Sequence, residues 1–234
     1  MMKNRQVFIT CEHGGNNIPH VYHYLFKDAA NVLATHRGYD IGALPVAIQL
    51  GEAFAYFQSY ASVSRLLVDL NRSLGNRHLW SEFTRKLSKH EKSLILEQYY
   101  FSYRHGVEAA IKEVIANNNQ VLHLSIHSFT PELNGQKRNA EIGLLYDPQR
   151  RLEKKLCLQW AAILEHIMPD WHIRRNYPYR GAADGFVTYL RKTFKPTKYV
   201  GVELEINQAL MTQRDNKVAD VLKQSLSILL EQRV

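Results

Sequence analysis

Val121-Leu122-His123-Leu124-Ser125-Ile126-His127 lies between the turn-forming run Asn117-Asn118-Asn119 and the loop Ser128-Phe129-Thr130-Pro131. A short apolar run bounded on both sides by breakers reads as a buried strand. Upstream, from about Lys89 to Asn117, apolar residues recur at intervals of three and four, the period of one long helix or two joined ones. Downstream, Ala140–Tyr146 reads as a second strand closed by Asp147-Pro148, and Arg151 to Ile167 as an amphipathic helix stopped by Met168-Pro169-Asp170. Farther out, Gln6–Thr10 is a short strand and residues 40–51 suit a helix with an Asp40 cap and a Gly51 stop. Tyr56–Ala61 and Leu66–Leu70 have strand character around a turn, Lys198–Ile206 is a late strand, and Asn216 to Gln232 a closing helix. Strands alternating with helices predict an α/β fold: a single domain over residues 1–234, with a mostly parallel mixed sheet flanked by helices.

The chain has 234 residues, 45% hydrophobic and 22% charged, enough apolar surface to fold without being a membrane protein. No stretch approaches the ~20 consecutive apolar residues of a span. The opening Met1-Met2-Lys3-Asn4-Arg5 passes directly into Val7-Phe8-Ile9 and does not read as a signal peptide. Two cysteines, Cys11 and Cys157, cannot build a disulfide framework, and the expected compartment is the cytoplasm. Thirty basic against 22 acidic residues give a net charge of +8, but the positives are scattered. No zinc finger, RNA-recognition motif or basic-region helix accompanies them, so nucleic acid is not an expected partner. A solvated basic surface that steers small anions is the better reading.

In open α/β sheets ligands bind at the carboxyl ends of the strands. Polar groups collect there: Glu12-His13 after the first strand, His127 after the central one, Glu203 and Glu205 in the last, and His36 with Asp40 where a helix begins. Histidines and carboxylates with little sulfur suit a catalytic divalent metal, Zn2+ or another, held by three protein ligands with one position open. His123 and His127 share one face of a strand but stand ~13 Å apart at the strand rise, so both cannot bind one ion. His127, at the loop junction, is the better ligand and His123 the core residue. Glu203 and Glu205 also share a face, and a carboxylate in a buried strand is costly unless paired or functional. Glu205 is nearer the strand's end and is favoured as the acid–base group; Glu203 is expected to pair with an arginine.

Six stretches together resemble the N-formylglutamate amidohydrolase family, in the family's order. They are Val7-Phe8-Ile9-Thr10-Cys11-Glu12-His13-Gly14-Gly15-Asn16-Asn17-Ile18-Pro19, His36-Arg37-Gly38-Tyr39-Asp40-Ile41-Gly42-Ala43, and Ser64–Ser73. The others are His127–Pro131 with Arg138–Pro148, Asn176-Tyr177-Pro178-Tyr179-Arg180-Gly181, and Gly201–Gln208. The resemblance implies a phosphorylase/hydrolase-like fold akin to zinc carboxypeptidases and aminoacylases, cleaving a linear amide of a small N-acyl amino acid such as N-formylglutamate. It also implies His13, Asp40 and His127 as metal ligands and Glu205 as the general acid–base; Glu203 stands beside it as the alternative catalytic carboxylate. The sequence lacks the carboxypeptidase His-x-x-Glu pair, having Asn16 where the Glu would stand, and Glu12 or His36 could replace Asp40 in the metal shell.

An acyl amino acid brings carboxylates, which arginine binds as a fork that lysine cannot reproduce. Arg65, Arg72, Arg138 and Arg180 are the candidates, with Asn71, Asn139 and Asn176 as neutral partners; the competing reading is that some only brace loops. Ser128 lacks a G-x-S-x-G elbow, and Cys11 is read as a small packed residue, so neither is the expected nucleophile. Tyr99-Tyr100-Phe101-Ser102-Tyr103-Arg104 is a dense aromatic stretch read as core. Two alternatives stand beside the amidohydrolase: a non-catalytic basic binding module on the same scaffold, and a hydrolase of a short peptide or cell-wall amide. The oligomeric state is left open.

Overall fold

The computed structural model describes residues 5–211 and 217–232. The Met1–Asn4 opening and the Asn216 start expected for the closing helix lie outside the described residues. In chain order the elements begin with β1 (Arg5–Cys11), a 3-10 turn at His20–Leu25, α1 (Ala30–Leu33), α2 (Ala43–Phe54) and β2 (Phe57–Tyr60). There follow α3 (Lys89–Ile95), a π-helical turn at Leu96–Phe101, α4 (Ser102–Ala116), β3 (Gln120–Phe129) and a small hairpin of β4 (Glu132–Leu133) and β5 (Gln136–Lys137). The chain continues with β6 (Ile142–Leu145), α5 (Arg151–Ile167), β7 (Ile173–Arg175), α6 (Phe186–Thr193), β8 (Tyr199–Asn207), a 3-10 turn at Gln208–Leu210 and α7 (Lys217–Glu231).

Six strands form one sheet in the order β2-β1-β3-β8-β6-β7. β1 is parallel to β2 and β3, β3 to β8, and β6 to β7, while β6 runs antiparallel to β8. The mostly parallel mixed sheet is therefore as read. Its two faces differ, and the period of two along a strand explains how. Val7, Ile9 and Cys11 of β1, Leu122, Leu124 and Ile126 of β3, and Val200, Val202, Leu204 and Ile206 of β8 all enter one core with α2, α5 and α7. The opposite face starts apolar, with Phe8, Val121 and Tyr199 packed beneath α4 and α6. Toward the carboxyl ends that same face turns polar: Thr10 and Glu12, then His123, Ser125 and His127, then Glu203 and Glu205. Register aligns Thr10 with Ser125, Ser125 with Glu203, and His127 with Glu205. A third apolar cluster, including Leu66, Leu67, Val68, Leu70, Leu79 and Tyr100, anchors the loops beside this polar end.

Several local expectations are corrected. Asp40 does not cap α2; that helix starts at Ala43 after Gly42, whose φ of 80° is left-handed and strongly favours glycine. Gly51 does not stop α2, which runs to Phe54; a Cβ at Gly51 would strike the side chains of Gln58 and Tyr60 on the neighbouring strand. Leu66–Leu70 is buried but forms turns, because its apolar side chains fill the loop core instead of a sheet. The short β7 and α6 carry too few periodic positions to be read from sequence. The 89–117 region is continuous helix broken only by the π turn, and its start carries a Ser88–Glu91 capping box.

Candidate active site

The polar ends of β1, β3 and β8 meet the loop before α2. The backbone N–H of Asp40 donates to the His13 carbonyl at 2.9 Å, which fixes the two loops together. Asp40 Oδ2 lies 2.7 Å from His127 Nδ1 and 3.5 Å from His13 Nδ1, and its Oδ1 accepts from the Arg65 guanidinium. Ligand-capable atoms of His13, Asp40 and His127 all lie within 4.8 Å of one another. Each imidazole is held from behind by a second carboxylate. His13 Nε2 is 2.8 Å from Asp69 Oδ1, and His127 Nε2 is 3.2 Å from Glu12 Oε2. Ser125 Oγ donates to that same Glu12 oxygen and lies 2.9 Å from His127 Nε2. With the proton on Nε2, both rings turn an Nδ1 lone pair toward Asp40. Carboxylate-backed histidines facing a third oxygen donor are the donor set that divalent zinc-like ions take, with the outer carboxylates fixing tautomer and orientation.

The charge state of His13 agrees with that geometry, whereas His127, surrounded by Glu12, Glu205 and Glu203, is biased toward its protonated form until a cation takes the proton's place. His13 falls to about 4, through burial first and the Arg65 charge second, so its ring is neutral, as a metal ligand must be. Burial would raise Glu12 and Asp69, yet hydrogen bonds and charge from His127 and His13 hold both well below the usual carboxylate range. His127 is raised, since Glu12 more than reverses the effect of burial. Burial pushes Glu205 up to about 7; His127 opposes that rise and Glu203 adds to it. Glu203 is raised as well, by burial. Glu205 Oε2 is buried with no hydrogen-bond partner, an expensive arrangement for a structural residue.

A cleft of about 170 Å³ joins these groups, and His13, Asp40, His127, Glu203 and Glu205 all line it. Arg65, Asn71, Arg72 and Arg180 line it too, whereas Arg138, Asn139 and Asn176 do not. Asn176 spends its Oδ1 on the backbone N–H groups of Tyr146 and Gly181. Arg138 lies over the rings of Phe129 and Tyr179, and Asn139 is exposed. Asn71 Oδ1 accepts from Phe186 N at the start of α6. Arg72 Nη1 donates to the Asp184 carbonyl, while its Nε is buried without a hydrogen bond. Glu12 backs His127 and His36 is exposed, so Asp40 is the carboxylate that meets both rings. His123 is in the core, bonded to Thr10 and Tyr199 at 2.7 Å each. Among the described residues no arginine ion pair holds Glu203; Arg191 pairs with Glu153 instead. Ser128 Oγ donates to the Ile41 carbonyl, and burial pushes the Cys11 thiol up. Sequence reasoning gave no role to Asp69 as the partner of His13; its one signal was a lone carboxylate inside the apolar run Leu66–Leu70. Ser125, on the same strand face as His127, was likewise missed.

The family model described as N-formylglutamate amidohydrolase matches residues 5–212. Among solved structures, a gene product of Agrobacterium tumefaciens superposes with a TM-score of 0.81 at 28% identity, covering 98% of this chain and 91% of that one. An N-formylglutamate amidohydrolase from Ralstonia eutropha superposes with a TM-score of 0.69 at 17% identity, covering 97% of this chain and 92% of that one. A metallo-carboxypeptidase from Burkholderia cenocepacia is among the looser matches, with a TM-score of 0.42 at 10% identity, covering 100% of this chain and 58% of that one. No curated protein matches the sequence.

Proposed function

The chain belongs to the N-formylglutamate amidohydrolase family and is a hydrolase acting on amide bonds of small molecules; from that premise we propose that it cleaves the linear amide of an N-acyl amino acid, N-formylglutamate being the reference compound, with a divalent metal such as Zn2+. His13 Nδ1, His127 Nδ1 and Asp40 would hold the ion. When bound, it supplies a Lewis acid that polarises the amide carbonyl and makes water acidic near neutrality. The observation that carries the reading is the pairing of those donors, each imidazole carboxylate-backed, with a buried, unpartnered Glu205 oxygen in one cleft.

Glu205 takes the proton of the attacking water and hands it to the nitrogen as the C–N bond breaks. A carboxyl poised near 7 does both at neutral pH. Glu203, one step deeper on the same face, adds to the basicity of Glu205 to the extent that it is itself ionised. Arg65 is engaged with Asp40 and stiffens the donor set. Arg72 and Arg180 face the cleft from its rim and receive the substrate carboxylates, with Asn71 beside them. The one six-stranded sheet and the family match over residues 5–212 support reading residues 1–234 as one domain. Free, buried Cys11 and Cys157 support a reducing compartment, the cytoplasm.

The test joins metal analysis of purified protein to amine release from a panel of N-acyl amino acids that includes N-formyl-L-glutamate. Stoichiometric metal in both the native protein and Glu205→Gln, with turnover only in the former, is the expected result. Native protein that holds stoichiometric metal and hydrolyses no N-acyl compound refutes the substrate class.

A further inference from the structure

The aromatic stretch Tyr99-Tyr100-Phe101-Ser102-Tyr103-Arg104 straddles the π turn and the start of α4, and three of its side chains reach the candidate site from behind. Tyr103 OH lies 3.1 Å from Glu12 Oε1 and 3.2 Å from the Ser59 carbonyl. It has one proton to give, and the carboxylate is the stronger acceptor. The other oxygen of Glu12 meets His127 Nε2 at 3.2 Å, and His127 Nδ1 meets Asp40. Tyr100 OH donates to the Arg72 carbonyl at 2.7 Å. Arg104 donates to the Leu70 carbonyl at 3.0 Å while its guanidinium lies 4.4 to 4.8 Å from the rings of Tyr100, Phe186 and Tyr189. Two separate parts of the cleft are thus held by one helical segment. π turns add a residue to the local helical repeat and recur at functional sites; here one leads into the segment that brings these groups together.

We propose that Tyr103 is a positioning residue for the metal ligand His127, acting through Glu12, and that Tyr100 is a positioning residue for the substrate-facing Arg72. The inference rests on the reading of His127 as a ligand. Glu12 is fully enclosed, and its two oxygens are divided between Tyr103 on one side and Ser125 with His127 on the other. Removing the Tyr103 hydroxyl takes the donor from Glu12 Oε1 and leaves the carboxylate fixed through Oε2 alone, which loosens the orientation of the imidazole whose Nδ1 direction it sets. Outer partners of metal ligands are worth roughly 10- to 100-fold in metal affinity. Tyr100 touches none of the three donors and reaches the site through the Arg72 carbonyl, so its loss acts first on Arg72 and on substrate affinity, with Asp69, 3.9 Å from the Arg72 guanidinium, one step further away.

The experiment measures Zn2+ affinity of metal-free protein by competition with a chromophoric chelator, together with KM and kcat of the reconstituted enzyme. The proteins are native, Tyr103→Phe and Tyr100→Phe. Thermal midpoints of the metal-free proteins serve as the folding control. Tyr103→Phe should weaken Zn2+ binding by about tenfold in a protein that still unfolds cooperatively, its midpoint lowered only as far as the loss of one buried hydrogen bond requires. Tyr100→Phe should bind Zn2+ as the native protein does and show a raised KM with kcat retained. Native-like Zn2+ affinity in Tyr103→Phe, or equal loss in both variants, overturns the proposal while leaving the metal reading intact. Native protein that binds no Zn2+ overturns the metal reading and this proposal with it.

Discussion

Glu205→Gln should cost the enzyme its turnover and make its metal-free form more stable, in a way that depends on pH. Burial raises this carboxyl from 4.5 to about 7. At roughly 1.36 kcal/mol for each factor of ten, ionising it in the folded state costs about 3 kcal/mol more than in the unfolded chain. The sign follows from proton binding. Between 4.5 and about 7 the folded protein holds a proton that the unfolded chain has released, so stability falls as pH rises through that window. Glutamine has similar shape and no charge, and escapes the penalty. The variant should therefore gain about 3 kcal/mol at pH 8 and under about 1 kcal/mol at pH 5. Urea unfolding of both proteins in excess chelator, at the two pH values, reads this directly. A variant less stable than native protein at pH 8, or a gain equal at both pH values, would show that the Glu205 carboxyl is not destabilised by its site. It would then lose its claim to be a stored, reactive base.

Further outcomes follow from the same geometry. The acid limb of kcat/KM should have its midpoint between pH 5 and about 7, because a base must be ionised and a nearby cation favours the charged form; a flat profile from pH 5 to 8 would remove Glu205 from that role. Asp69→Asn should weaken metal binding by roughly 10- to 100-fold, because His13 loses the charged acceptor at 2.8 Å that fixes its tautomer; chelator competition measures it. His127→Ala should abolish both metal binding and turnover, read by metal analysis and amine release. Raising salt from 50 to 500 mM should raise KM more for a dicarboxylate substrate than for a monocarboxylate one, since the rim arginines act partly through screened charge.

The sheet was legible because its strands are apolar runs between breakers, and a fully buried parallel strand has few other ways to look. Arg151–Ile167 was legible for the complementary reason: a long amphipathic period with Pro169 beyond it. Leu66–Leu70 misled, since burial in a loop core produces the same apolar run as burial in a sheet. The reactive ends of β1, β3 and β8 could be guessed from the place where alternation turns polar. The outer shell could not. Asp69 and Glu12 act through contacts 56 and 115 residues away along the chain, and no local pattern encodes such a partner. Asn176 was misleading in another way: at a φ of 51° its backbone is in the left-handed region, and its side chain serves the adjoining loops instead of the cleft.

Charge is layered in this cleft, and the layering bears on why so many carboxylates are tolerated there. Glu12, Asp40, Asp69, Glu203 and Glu205 are all buried at one end of the sheet. Three of them are paid for locally: Asp69 by His13, Glu12 by His127 and Ser125, Asp40 by Arg65. The remaining two are raised by burial, so ionising them costs more here than in the unfolded chain. A buried site can afford to ionise them only when further positive charge enters. In the proposed reading Arg72 and Arg180, which line the cleft, are taken up by the substrate carboxylate. The proposed metal would supply that charge deeper in the cleft, where two imidazoles and Asp40 converge. Metal binding and the basicity of Glu205 are on this account one electrostatic arrangement, and each should be found altered when the other is removed.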